Sequence, residues 1–320
     1  MLTIIIPTKN RAKFLETLLP ALLSDDCPAE KIIIGDDGSS DNTQEIINQY
    51  IINKKLTVIK NLESIGAVKT NCKLFQYVET KYFMYMSDDD YFDSHLIKKL
   101  LDGIISNNSA LGFGKYRIED FGKVTDIIHP GWVERLRYQG DFLTLFAYDH
   151  YMFGPATIFQ TSLLPRYHSP LGFAPFDLNL NTLVSFDNLG EFRALDWDLA
   201  LSMSMQFSSK IYYLDEYVAT FRIVDGQLSS DEKYRFTGRA AFEMSLLILK
   251  YFEDYETRTL FQKNPLIIKS MLNLLDNKCR QIKFERTTLI HVDYMPTINA
   301  AVAILESLVN RTEYRGGQLV

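Results

Sequence analysis

Lys31–Thr43 reads KIIIGDDGSSDNT. Three consecutive isoleucines predict a strand over Lys31–Ile34 that is covered on both faces, because a half-exposed strand alternates instead. Gly35-Asp36-Asp37-Gly38-Ser39-Ser40 is turn-forming. Asp41 and Gln44 then have capping-box spacing ahead of a helix over Thr43–Ile52. Strand, turn and helix follow one another without a spacer. The same unit repeats to either side. Upstream, Leu2–Ile6 (LTIII) is a buried strand closed by Pro7, and Arg11–Leu23 is a helix that Pro20 should end or bend. Downstream come a strand over Leu56–Lys60 and a helix over Gly66–Val78, with Val68, Cys72, Phe75 and Val78 near one face. A fourth strand spans Lys81–Met86 (KYFMYM), and Asp93 caps a helix over Leu96–Ile105. Apolar strands alternating with helices imply a parallel sheet flanked by helices, an α/β fold.

Sheets of this kind bind ligands at the carboxyl ends of their strands. The small and polar residues fall there: Pro7-Thr8-Lys9-Asn10-Arg11 after the first strand, Asp36-Asp37 after the second, Asn61 to Gly66 after the third. After the fourth comes Ser87-Asp88-Asp89-Asp90. Three adjacent acids at the end of a buried strand repel one another. A bound hard cation carrying phosphate is the most economical reason for them. A polar strand end with one helix cap accounts for one acid, not three. No Gly-x-Gly-x-x-Gly follows the first strand and no phosphate-loop Gly-Lys-Ser/Thr occurs, which excludes a dinucleotide fold and an ordinary nucleoside-triphosphatase.

Composition sets wider bounds. The 320 residues are 47% hydrophobic and 23% charged with a net charge of −6, ordinary for a globular protein and without a global case for nucleic acid. Cys27, Cys72 and Cys279 are far apart and odd in number, which argues against a disulfide framework and for a reducing compartment. No basic segment precedes the apolar run at Leu2, so no signal peptide is expected. The strongest later apolar run, Ser245–Leu249, is interrupted by Lys250 and is far short of a membrane span.

Thr3–Arg11 (TIIIPTKNR), Ile32–Thr43 (IIIGDDGSSDNT), Gly66–Asn71 (GAVKTN) and Met86–Tyr91 (MSDDDY) resemble, in order and spacing, the motifs of family 2 glycosyltransferases of the GT-A fold. Gly154–Leu164 (GPATIFQTSLL) is similar to a strand and turn on the acceptor side. Leu195–Leu199 (LDWDL) resembles the Glu-Asp-x-x-Leu catalytic segment. The resemblance implies that Pro7, Thr8, Asn10 and Arg11 frame a nucleotide, with Gly66, Lys69 and Asn71 on the base side. One of Asp36 and Asp37 would accept from a uracil imide or a ribose hydroxyl, and the other would be structural. Asp88, Asp89 and Asp90 would hold Mn²⁺ or Mg²⁺ on the donor diphosphate, Asp88 and Asp89 also lying near the ribose or sugar. Relatives often read Asp-x-Asp-Asp here, so Ser87 stands in the first acidic slot and the metal contact can fall mainly to Asp89 and Asp90. Asp196 aligns with the general base of an inverting transfer, and Asp198 is the alternative.

Three places depart from the pattern. Leu195 replaces the usual glutamate. Ser202 and Met203 occupy the region where an arginine often stands about six positions after the catalytic aspartate. In Thr220–Ser229 (TFRIVDGQLS) Val224 replaces a histidine that often completes the metal or diphosphate site. Arg222 and Ser229 remain, with Arg222 a diphosphate candidate. Trp132, Tyr138, Tyr148, Tyr151, Phe153, Phe173 and Phe176 crowd the middle region, as core or as sugar-binding faces. His129, His150 and His168 lack metal-ligand spacing. The tail is helical in pattern over Arg239–Tyr251, Leu266–Cys279 and Thr297–Leu308.

The expected organisation is a GT-A domain over 1–230, its nucleotide-binding half 1–110 and its acceptor-binding half 111–230, then a helical C-terminal region over 231–320. The expected activity is metal-dependent inverting transfer of a sugar, first of all from a UDP-sugar, to a glycan or lipid-linked oligosaccharide of a bacterial surface polysaccharide. The setting would be the cytoplasm, peripheral to the inner face of the plasma membrane, with a homodimer through the C-terminal helices as a further option. A non-catalytic nucleotide-sugar binder and a sugar nucleotidyltransferase are the alternatives. The second would usually carry a Gly-rich basic loop that TIIIPTKNR lacks.

Overall fold

The computed structural model describes residues 1–127, 154–162, 211–225, 227, 238–253, 268, 271, 272, 275 and 294–313. The chain divides into two compact units. The described part of the first contains β1 (Leu2–Thr8), α1 (Ala12–Leu23), β2 (Lys31–Asp36), α2 (Thr43–Asn48), β3 (Leu56–Lys60), α3 (Ala67–Phe75), β4 (Tyr82–Tyr85) and β5 (Tyr91–Phe92). It continues with α4 (Ser94–Ser106), the hairpin β6 (Leu111–Asp120) and β7 (Lys123–Asp126), a 3-10 turn at Gly154–Ala156 leading into β8 (Thr157–Gln160), and β9 (Ile211–Ile223). These strands make one sheet in the order β3-β2-β1-β4-β8-β6-β9-β5, with β7 extending β6.

The first four strands in the chain are parallel to one another, as their apolar runs predict. The other half is mixed: β8 is antiparallel to β4 and β6, β6 is parallel to β9, and β5 is antiparallel to β9. Side chains alternate between the two faces of the parallel half. Ile4, Ile6, Ile32 and Ile34 join Leu15, Leu18, Leu19 and Leu22 of α1 in one buried cluster. On the opposite face α3 packs so closely that a Cβ on Gly35 would lie 2.7 Å from Thr70 Cγ2 and 2.9 Å from Leu74 Cδ1. Each fully buried Leu or Ile stabilises the fold by roughly 1.5–3 kcal/mol.

Two proline expectations are revised. β1 runs through Pro7 to Thr8, in register with Gly35 and Asp36. The Ile5 carbonyl accepts from Met86 N toward β4, so the Pro7 nitrogen, two residues on, faces the same side; pairing with β4 ends at Ile5, and no ladder bond is lost. Pro20 does not end α1, because its exposed position leaves the buried stripe Leu15, Leu18, Leu19 and Leu22 intact through the last turn. The capping box is also absent. Asn42 occupies the cap without a side-chain bond, the Asp41 carboxylate accepts from Thr43 N and Ala12 N, and Gln44 turns outward to Asn48. Asp93 does cap α4, accepting from Leu96 N at 3.0 Å.

The described part of the second unit is helical, with α5 (Arg239–Glu253) packed on α6 (Met295–Glu313). Phe242 stacks on Tyr294 with ring centroids 4.5 Å apart, and Arg239 pairs with the buried Glu243 one turn along α5. Ile268, Met271, Leu272 and Leu275 are helical. The aromatic group from Trp132 to Tyr151, with Phe153, Phe173 and Phe176, and the three middle-region histidines lie outside the described residues.

Candidate active site at the carboxyl edge of the parallel strands

Because β1 to β4 are parallel, their carboxyl ends open on one edge of the sheet, and side chains from all four loops meet there. Thr8, the last residue of β1, donates its hydroxyl to Asp88 Oδ2 at 2.6 Å, joining the first strand end to the fourth. Asn10 is left-handed at φ 54°, a conformation asparagine tolerates. Its Oδ1 accepts from Ser40 N at 2.8 Å and Asp41 N at 3.3 Å, while its own N–H donates to Ser39 Oγ, so it clips the first loop to the second. Arg11 donates its N–H to Thr43 Oγ1 and holds its guanidinium over Phe14 and 3.9 Å from Asp89 Oδ2.

The adjacent aspartates after β2 differ completely. Asp37 accepts from five donors: Asn61 Nδ2, Ile65 N and Thr70 Oγ1 on Oδ1, Ser64 Oγ and Gly66 N on Oδ2. Burial by itself would raise its pKa, but these hydrogen bonds outweigh burial and hold the carboxyl below its ordinary value. Asp37 therefore ties down the loop Asn61–Gly66 and the start of α3. Asp36 is fully buried; its Oδ1 accepts from Ser39 N at 2.9 Å, and its Oδ2 has no protein partner. Asn71, one residue beyond the Asp37-bound Thr70, is buried with Oδ1 also unpartnered. Gly66 sits at φ 93° at the head of α3, and Lys69 is exposed.

Asp88, Asp89 and Asp90 are all buried. Burial drives the Asp88 carboxyl up to about 7; the Thr8 hydroxyl and Arg11 pull it down and the Asp89 charge pushes it further up. Burial, then the Asp89 charge, raise Asp90 well above the carboxylate range. Asp90 Oδ1 accepts from Arg222 N at 3.1 Å, and Oδ2 has no protein partner. Among the described residues no three acid, histidine or cysteine side chains converge as a metal cage. A site of one or two carboxylates completed by substrate phosphate and water is the usual alternative for Mg²⁺.

Arg222, on β9, comes from more than a hundred residues away in sequence to the same place. Its Nε donates to the Asp89 carbonyl and its Nη1 to the Tyr91 hydroxyl at 2.7 Å. Its guanidinium lies 3.8 Å from the Tyr91 ring centre and 5.0 Å from that of Phe14. Tyr91 and Phe14, like the Asp37 donors Ser64 and Thr70, are site residues that the sequence reading did not single out. Tyr91 directly follows the acids, and Phe14 stands one helical turn from Arg11; those positions were the available signals. Val224 leaves no ligand where a histidine was expected. Asp196 and Asp198 lie outside the described residues.

The sequence profile of Glycosyl transferase family 2 matches residues 3–167. A Bacillus subtilis (strain 168) protein, TuaG, named as a teichuronic acid biosynthesis glycosyltransferase, is 25% identical over 119 residues, 37% of this chain and 47% of that protein. The poly(ribitol-phosphate) beta-N-acetylglucosaminyltransferase TarS of Staphylococcus aureus (strain Mu50) is 29% identical over 100 residues, 30% of this chain and 17% of TarS. The matched stretch thus spans less than half the length of these relatives. Among solved structures, S. aureus TarS 1–349 in complex with UDP-GlcNAc superposes with a TM-score of 0.65 at 18% identity, covering 98% of this chain and 83% of that one. The mannosyltransferase PcManGT of Pyrobaculum calidifontis, in complex with GDP-Man and Mn²⁺, gives 0.52 at 14% identity. The fold is GT-A.

Proposed function

We propose a donor and an acceptor class from one premise: this chain belongs to glycosyl transferase family 2 and is a glycosyltransferase. The donor is a UDP-sugar and the acceptor a glycan or lipid-linked oligosaccharide of a bacterial surface polysaccharide, as the names of TuaG and TarS suggest. The observation that carries the donor assignment is the division of labour between Asp37 and Asp36. Asp37 is saturated, whereas Asp36 Oδ2, at the carboxyl end of β2, is a buried acceptor without a partner. A uracil imide N–H supplies the donor that this oxygen lacks, and a buried polar atom left without one costs about 1–3 kcal/mol. Asn71 offers a second buried amide oxygen without a partner, Pro7, Thr8, Asn10 and Arg11 shape the wall, and Gly66 and Lys69 border the base side.

The acid run fits a hard divalent ion in part: it offers carboxylate oxygens, among them the unpartnered Asp90 Oδ2, and burial destabilises their charge. Asp89 and Asp90, with Asp88 beside them, would hold Mn²⁺ or Mg²⁺. The ion would supply charge stabilisation to the departing diphosphate. Asp196, or else Asp198, takes the proton of the acceptor hydroxyl as its oxygen bonds to the anomeric carbon and the bond from that carbon to the diphosphate breaks, inverting the centre. Thr8 and Arg11 hold the first loop against the acids, and the Asn10 clip holds it to the second loop.

The proposed domain limits are 1–230 for transfer and 231–320 for a helical region that is a candidate for dimerisation. No helix among the described residues is long and apolar enough to cross a membrane. A peripheral place on the cytoplasmic membrane face suits a lipid-linked acceptor.

Titration calorimetry with UDP, CDP and GDP tests the reading. UDP should bind most tightly, and Asp36→Ala should weaken it about 10- to 100-fold, the worth of a hydrogen bond to a charged group. Equal affinity for the three nucleotides, or an unchanged affinity in the variant, would remove the basis of the donor assignment.

A further inference from the structure

Arg222, the diphosphate candidate on β9, is engaged with the acid run and its flank. β9 pairs antiparallel with β5, with Tyr91 opposite Thr220, which puts Arg222 diagonally across from Tyr91 on the same face. From there the residue makes three separate contacts with the acid run and its flank: its backbone N–H to Asp90 Oδ1, its Nε to the Asp89 carbonyl, and its Nη1 to the Tyr91 hydroxyl. The guanidinium plane is stacked on Tyr91 and faces Phe14, whose ring also carries Arg11. Only a planar fork fits two acceptors in different directions while stacked on an aromatic ring.

We propose that Arg222 is a positioning residue for the acid run: it fixes the main chain at Asp89 and the carboxylate of Asp90, and does not itself bind the donor diphosphate. The inference rests on the UDP-sugar, metal-bearing reading of the same edge. It also accounts for Val224. Where a histidine would have added a ligand, this chain braces the remaining acids from β9 instead. Residues that orient metal-binding side chains commonly cost 10- to 100-fold in metal affinity when removed.

The test separates the metal, the phosphates and the base. Mn²⁺ affinity of the protein–UDP complex is read from the electron paramagnetic resonance signal of free Mn²⁺. Affinities for UDP without metal and for uridine are read by calorimetry. In Arg222→Ala, Mn²⁺ affinity should fall 10- to 100-fold while metal-free UDP and uridine bind within about twofold of the unaltered chain. Arg222→Lys should behave like the alanine variant, because an ammonium restores charge but not the fork. Tyr91→Phe, which keeps the ring and removes one acceptor, should lose Mn²⁺ affinity by a smaller factor and decides the matter if Arg222→Ala fails to fold.

Unchanged Mn²⁺ affinity in Arg222→Ala overturns the proposal. So does a tenfold loss of metal-free UDP affinity that lysine restores, since that is the behaviour of a charge on the diphosphate. If the unaltered chain binds UDP equally with and without Mn²⁺, the metal reading fails first and takes the proposal with it; that failure shows before any variant is made.

Discussion

Asp36 and Asp37 are neighbours with different hydrogen bonding, and their effects on stability should differ in size too. Asp37→Ala strips five donors of their acceptor, two of them on the buried side chains of Asn61 and Thr70. It should destabilise the fold by about 3 kcal/mol in urea denaturation, whereas Asp36→Ala, which leaves only Ser39 N without its acceptor, should cost about 1 kcal/mol. Asp88 gives a second residue-scale expectation. Its folded pKa is raised to about 7, so the folded state keeps a proton that the unfolded chain loses near pH 4. The contribution of Asp88 should therefore be greatest on the acid side and fall as pH rises from about 4 to about 7, by as much as about 4 kcal/mol, and the raised Asp90 carboxyl adds to the fall in the same direction. Asp37, with its lowered pKa, works the other way and loses its contribution below the ordinary carboxylate range. Urea midpoints from pH 4 to 8 should show the fall, and Asp88→Asn should make it shallower, leaving the part that Asp90 contributes. The acids themselves were legible as a strand-end cluster. Which of two adjacent aspartates is saturated by protein donors was not, because the groups that saturate Asp37 come from a loop and helix 24 to 33 residues further along.

At the scale of elements, the site depends on how closely α3 lies on β2. That approach needs a residue without a side chain at Gly35, where any Cβ would overlap Thr70 and Leu74. Gly35→Val should destabilise by about 1–3 kcal/mol, an overpacking cost, and should weaken UDP binding as well by displacing Thr70 and Asn71. Calorimetry showing full UDP affinity in that variant would mean that α3 does not position the base pocket. Strand and helix order was readable from hydrophobic pattern alone, and so was the Asp93 cap, since both depend on residues near in sequence. The failure of the capping box has a tertiary cause: Asp41 is drawn to Ala12 N, at the head of a different helix. Pro7 likewise misled the reading of where β1 ends, because only the pairing partner shows that its missing N–H falls beyond β4.

For the molecule as a whole, the carboxyl edge of the parallel strands belongs to one of two compact units, each with its own buried side chains. Calorimetric unfolding should then show two transitions. Saturating UDP with Mn²⁺ should shift only that of the first unit, by about 2.7 kcal/mol at a hundredfold excess over Kd. A single transition that moves as one would show that the units unfold together. From sequence alone came the α/β alternation, the placing of polar residues at four strand ends, the family, and a helical tail, because each is carried by local periodicity or by contiguous motifs. Only the tertiary structure decided that half of the sheet is mixed and that five donors saturate Asp37 while Asp36 Oδ2 has no protein partner. It alone also showed Arg222 reaching across from β9 to brace Asp89 and Asp90. These depend on contacts between residues distant in the chain, and no local pattern encodes which distant groups the folded backbone will bring within hydrogen-bonding reach.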